Sequence, residues 1–561
     1  MSIAKDDIKG YECRHAILST ARDKRSDIHF IKEYIHTKDG RVVLNKRIVT
    51  NYEREFWVTK EAFRDHKDKK EYEEERKLTK FKTPQWRLTD SISRALHSRP
   101  AGPRDTLKQL SESPYLYGSD ILTSCLIKND YITRFPDIVP TQASLGVIDI
   151  ETDVVTGTND IILISLTYKD RAILAINTDF IAESDFNLER LRANIDSHLG
   201  ELLRKRNTTV EIVFHDTPGQ CVAAVLKRAH EWSPDFIVIW NINFDLPRME
   251  KALLKEKYDL AEVFSDPMVP KEYRHFKYIE GKAQKVTQEG KQSPKHWADI
   301  WHTVECPAGF YFLDAAVVYK YLRAAAGMVS GYGLDDTLKR HLGKGKLSIP
   351  EVDHLSKLAW HQAMQSRYKF DYATYNLFDD IGVELLDELT GDIGRIFPVL
   401  CEISDYRHFK SNPRKIVDDL HFFYRKRGKV FATTGYDVEV EMDDDVIGLK
   451  QWIVTLPAML IEDNGLCIIE ELPNVRSYMR IHNADLDIEG TYPHIEVGAN
   501  TAKETTNREL VDIEGLDEDT RREVGINLSG GAANAIELAV TVYKLPTPHT
   551  WAMEIMALDA A

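Results

Sequence analysis

Between residues 141 and 240 short apolar runs alternate with polar turns, and the period of that alternation changes along the way. ASLGVIDIET, DIILISLTYK and RAILAIN are rich in β-branched residues and separated by brief polar breaks, which predicts consecutive strands of one sheet. After a polar helical stretch, VEIVFHD reads as a further strand, GQCVAAVLKRAHEW as an amphipathic helix and DFIVIW as another strand. Strands and helices mixed in this way imply an α/β domain whose sheet is covered by helices. Upstream, residues 27–58 alternate apolar and polar positions around turns such as KDG and predict short strands. Downstream, Leu377, Ile381, Leu385 and Leu389 recur at helical spacing in YATYNLFDDIGVELLDEL, and LSGGAANAIELAVTVY at 528–543 reads as a packing helix.

The breaks in this pattern divide the chain. SRPAGPRD at 98–105 and TRFPDIVPTQ at 133–142 are rich in proline, so a first domain is expected to end near residue 140. The charge run over 59–80 reads as a solvated helix or mobile insert; a nucleic-acid contact is the alternative, weakened by its many glutamates. A chain of 561 residues is too long for one core, and 43% hydrophobic with 29% charged residues is the composition of packed domains. No stretch approaches the roughly 18 uncharged apolar residues of a membrane span, which argues against secretion and membrane insertion. Six widely spaced cysteines without a CxxC pair read as thiols of a reducing cytoplasm. A net charge of −15 argues against coating nucleic acid by bulk electrostatics but leaves room for a local basic groove.

Three acidic elements carry the candidate chemistry. Asp149 and Glu151 close the apolar run LGVIDIE, and residues two apart on a strand face the same way. Asp-x-Glu alone is common; its position at the end of a buried strand is what singles it out, because charge there is costly unless paired or metal-bound. Asp245 follows the strand DFIVIW through a turn built on Asn241 and Asn243, at the sheet edge where α/β sites form. The alternative makes Asp245 a helix N-cap, with Leu246 and Pro247 opening the helix. Tyr375 and Asp379 are four apart and share one helix face. Asp380 points about 100° away and is expected in solvent, with a ligand role as the substitute reading. GKGKLS at 343–348 lacks the spacing of a phosphate loop and reads as a lysine-bearing turn. Oxygen ligands without histidine or cysteine suit Mg²⁺ or Mn²⁺, and two such ions about 4 Å apart would serve hydrolytic phosphoryl transfer.

The order Asp149-x-Glu151, Asn241-x-x-Phe244-Asp245, Tyr375-x-x-x-Asp379 resembles the three motifs of DEDD-type 3′–5′ proofreading exonucleases in their tyrosine version. The surrounding sequence, including FLDAAVVYKYL and GYGLDDTLKRHLG, is similar to family B DNA polymerases of large tailed bacteriophages. The resemblance implies that Asp149, Glu151, Asp245 and Asp379 hold two metal ions and that Tyr375 orients the attacking water. Asn241 and Phe244 would contact DNA. It further implies an α/β multidomain chain: a mixed α+β N-terminal domain over 1–140 and a ribonuclease H-like exonuclease domain over 141–390. Residues 391–455 would return to the N-terminal domain, and 456–561 would form an incomplete palm.

ADLDIEGTYPHIEVG at 484–498 resembles polymerase motif A, with Asp487 as a metal ligand and Thr491 and Tyr492 at the nucleotide; a β-turn is its other reading. The triphosphate-binding helix and second catalytic carboxylate of that family do not follow. The expectation is therefore one chain of a split polymerase acting on primer-template and single-stranded 3′ ends. A second chain would complete the palm, fingers and thumb, and a sliding clamp would serve as processivity partner. The alternatives are a truncated chain active only as a nuclease and a catalytically idle single-strand binding module.

Overall fold

A computed structural model describes residues 4–67, 69–182, 186–286, 292–324 and 331–434, and a backbone hairpin pairing Met459–Glu462 with Gly465–Ile468. The chain divides into two compact units, Met1–Gly435 and Tyr436–Ala561, the hairpin belonging to the second. Asp487, Thr491, Tyr492 and the helix expected at 528–543 lie outside the described residues. The architecture is α/β, with mixed sheets and fourteen α-helices among the described residues.

The first unit opens with a three-stranded antiparallel sheet of β1 (Ile8–Thr20), β2 (Asp27–Thr37) and β3 (Val42–Thr50), against which helix α1 (Thr123–Arg134) packs. Among the described residues the charge run forms no α-helix. Short 3₁₀ turns there flank a strand, Tyr72–Glu74, that pairs antiparallel with Lys429–Phe431. Glu73 is buried in this pairing and held by Lys70 at 2.9 Å and Lys77 at 3.2 Å. Lys70 and Lys77 reach Glu73 from the segments on either side of the strand rather than along a helix face, so charge content misjudged the element.

The strands that carry the site form a six-stranded sheet. β4 (Leu145–Thr152), β5 (Ile161–Tyr168) and β6 (Arg171–Asn177) run as an antiparallel meander, and β7 (Thr209–His215) adds parallel to β6. On the other side of β4, β8 (Phe236–Ile239) and β9 (Tyr311–Asp314) add in parallel. Every residue of β5 is buried, as expected of a strand covered on both faces. Ile173 and Ala175 enter the core under helices α3 (Pro218–Trp232) and α4 (Ile242–Lys255). Ala172, Leu174 and Ile176 enter the opposite core with α2 (Leu188–Arg206) and α5 (Lys369–Thr390). Caps fix the helix starts: the Asn187 and Thr217 side chains accept from Arg190 and Gln220 backbone N–H groups, and Pro218 occupies the first turn.

A buried charge cluster joins the N-terminal sheet to the segment entering β8. Lys32 on β2 is fully buried; its Nζ lies 2.8 Å from Asp235 Oδ1 and donates to the carbonyls of Ser233 and Pro234. Asp235 also accepts from the Tyr34 hydroxyl at 2.9 Å and the Ser144 N–H at 2.8 Å. Despite burial, the charges of Lys32 and Arg14 hold the Asp235 carboxyl well below the usual range. No helix among the described residues is long and apolar enough to cross a membrane.

Candidate metal centre

Alternation along β4 sorts its side chains. Ile148 and Ile150 enter the core beneath α3 and α4, so Asp149 and Glu151 point to the other face, toward α5. Helix α5 brings Asp379 to meet them. Asp149, Glu151 and Asp379 each offer a carboxylate oxygen, all within 4.8 Å of one another. Residues 228 positions apart in sequence thus converge at the contact of one strand with one helix.

The electrostatics show what this convergence costs. Burial, and after it the charge of Asp379, pushes the Asp149 carboxyl up to about 7, with Lys346 and Asn376 pulling it back. Glu151 is raised by burial and by Asp149, and Asp379 is raised by burial against the opposing pull of Lys346. Asp379 Oδ1 is buried without a hydrogen-bond partner. An all-oxygen donor set with clustered charge and an orphaned oxygen fits a hard divalent cation.

Asp245 lies outside this mutually close trio. It sits in the first turn of α4 and is buried; burial, then the charges of Asp149 and Glu151, raise its pKa well above the ordinary value. It therefore shares the field of the trio. It is not an N-cap, since Asn241 takes that place without a side-chain cap bond and Pro247 falls inside the helix. Asp314, ending β9, caps the helix Ala315–Leu322 at Val317 and accepts from the Ile242 N–H at 3.1 Å, fixing where α4 begins. Phe244, beside Asp245, is 41% exposed, with the Arg248 guanidinium 3.6 Å above its ring.

Several groups that surround the trio carry no motif signal. Lys346, in the turn after Leu342, donates to the Tyr375 hydroxyl at 2.9 Å and to Asp379 Oδ2 at 2.5 Å. Burial opposes its charge, but Asp379, Tyr375 and Asp149 outweigh that and raise its pKa. Asn376 Nδ2 donates to Asp149 Oδ2 at 2.8 Å, and Tyr372 donates to Glu151 Oε2. Tyr372, Tyr375 and Asp379 stand at i, i+3 and i+7, a spacing that could have marked one polar helix face.

No family model matches the chain, and no curated protein is significantly similar to it.

Asp380 corrects the reading of its position. It is fully buried, neither carboxylate oxygen has a hydrogen-bond partner, and burial followed by Asp149 raises its pKa well above the ordinary value. The rotation away from Asp379 turns it against the sheet, because α5 is buried on both flanks.

Proposed function

We propose that this chain is a divalent-metal-dependent 3′–5′ exonuclease and that it serves as the proofreading part of a family B DNA polymerase. The observation that carries the reading is the meeting of Asp149, Glu151 and Asp379, with Tyr375 one helical turn before Asp379 and tied to it by Lys346. Two Mg²⁺ or Mn²⁺ ions held by these acids and Asp245 would supply Lewis-acid activation of water and charge stabilisation at the leaving 3′ oxygen. Tyr375 orients the attacking water through its hydroxyl, and Lys346 holds that hydroxyl in place while offsetting negative charge at the scissile phosphate. Phe244, exposed beside Asp245, offers a stacking surface for the terminal base, with Asn241 at the same turn. A ribonuclease H-like sheet is the fold this reading assigns to residues 141–390.

The wider proposal adds partners: primer-template DNA, a second polymerase chain completing the palm around Asp487, and a sliding clamp. Asp487 would hold polymerase metal, and Thr491 and Tyr492 would meet the incoming nucleotide. Co-expression with a candidate second chain tests this part, primer extension by the pair supporting it and its absence with every such chain opposing it. The nuclease itself is tested with a 5′-labelled single strand and Mg²⁺. Stepwise shortening from the 3′ end is expected.

A further inference from the structure

The β4–β5 ladder shifts register between Glu151 and Thr152, directly after the acidic pair. The extra residue of this irregularity, Ile162, lies on β5, and β4 ends at Thr152, where its backbone leaves the ladder. One side chain binds the backbone there. Gln365, buried on the helix Lys357–Arg367, accepts from the Val154 N–H at 3.0 Å and donates to the Thr152 carbonyl at 2.8 Å. A backbone N–H can only donate, so Oε1 must face Val154 and the NH₂ group must face Thr152.

The same NH₂ group lies 3.2 Å from the Tyr372 hydroxyl. An amide nitrogen has no acceptor to offer, so the Tyr372 oxygen accepts and its single proton is directed to Glu151 Oε2. His361 Nδ1, 2.9 Å from the same hydroxyl, is left to donate as well. Tyr372 has no exposed surface, and its ring stacks with Tyr375 at 6.1 Å between centroids, which leaves it little freedom to turn. Gln365 thus holds Glu151 twice, through the backbone that follows it and through the hydroxyl bound to its carboxylate.

We propose that Tyr372 and Gln365 are positioning residues that fix the rotation of the Glu151 carboxylate and thereby set the affinity of this site for a divalent cation. The inference rests on the metal-dependent reading of the site. Groups that orient a metal's ligands without touching the metal commonly contribute about 10–100-fold to its affinity. Tyr372→Phe removes the hydroxyl, with the proton it donates to Glu151 and the oxygen that accepts from Gln365 and His361, and keeps the ring packing. Gln365→Met keeps length and volume but leaves Thr152 and Val154 unpaired.

The test is calorimetric or electron-paramagnetic-resonance titration of the full chain with Mn²⁺, comparing wild type, Tyr372→Phe, Gln365→Met and the ligand variant Asp149→Asn. Tyr372→Phe is expected to weaken Mn²⁺ binding by about tenfold or more while its melting temperature in chelator stays close to wild type. Gln365→Met is expected to weaken binding as well, with a lower melting temperature. Unchanged Mn²⁺ affinity in Tyr372→Phe, with Asp149→Asn clearly weakened, would overturn the positioning role and leave the metal site standing. Equal binding by wild type and Asp149→Asn would remove the metal site and this inference together.

Discussion

The ammonium of Lys346 lies 2.9 Å from the Tyr375 hydroxyl and 2.5 Å from Asp379 Oδ2, so one cation ties together the phenol and the acid of a single helix face. Replacing it by methionine keeps the stem and removes the charge. Lys346→Met is expected to slow 3′-end degradation by about 10²–10³-fold, the usual scale for losing one preorganised donor. Thermal melts should show the same variant destabilised in chelator and partly restored by Mg²⁺. Its loss leaves Asp379 without a compensating charge, which a divalent ion can replace.

The raised carboxyls make stability depend on pH in a defined direction. Asp149 is pushed up to about 7 from an ordinary value of 3.8. Above 3.8 the unfolded chain therefore sheds this proton more readily than the folded one. Its contribution is fully present below that value and is lost as pH rises through about 7. In chelator, the stability advantage of Asp149→Asn over wild type is expected to grow between pH 5 and pH 8, read as the difference of melting temperatures. Saturating Mn²⁺ should reverse that order at pH 8, since ionised carboxylates are what the metal needs.

Asp380 offers a stability gain. Its carboxylate is fully buried without a hydrogen-bond partner and lies in the field of Asp149. Asp380→Asn removes the cost of ionising it and is expected to raise unfolding free energy by about 1–3 kcal/mol at pH 8. A smaller gain is expected at pH 5, because the raised pKa favours the neutral form as pH falls. Urea unfolding at the two pH values gives the comparison.

Much of the sheet was legible because its strands are apolar runs whose period is unambiguous. Asp149 and Glu151 stood out as charge at the end of such a run. Lys346 was not legible: its turn has no spacing of its own, and its value comes from a helix about thirty residues further along. Asp380 was misread because a helix wheel gives direction but not what lies there; α5 meets protein on both flanks. Gln365 escaped notice because it binds the backbone at the end of β4, a contact only the fold defines, and Tyr372, though on the face of Tyr375 and Asp379, has its partner Glu151 in a distant strand. The charge run at 59–80 was misjudged for the same reason, its partner strand lying at Lys429–Phe431.

The Lys32–Asp235 contact ties the N-terminal sheet to the segment entering β8. Both side chains are buried, and Lys32→Met leaves Asp235 with the weaker compensation of Arg14, whose Nε is 3.8 Å away. Breaking one side of a buried pair costs about 3–5 kcal/mol. Urea unfolding of Lys32→Met should show a loss of that size. Because Asp235 is depressed in the folded state, the stability it contributes is present at neutral pH and is lost as pH falls through its folded-state value.

The central claim concerns the acids that meet between β4 and α5. Its most direct test follows a 5′-labelled single-stranded DNA, incubated with Mg²⁺ and either wild-type chain or Asp149→Ala, on a sequencing gel. Wild type is expected to give a ladder shortening from the 3′ end, dependent on Mg²⁺ and abolished by chelator, with Asp149→Ala slower by at least about 10³-fold. Equal rates for the two proteins, or no degradation by wild type in Mg²⁺ or Mn²⁺, would contradict the account.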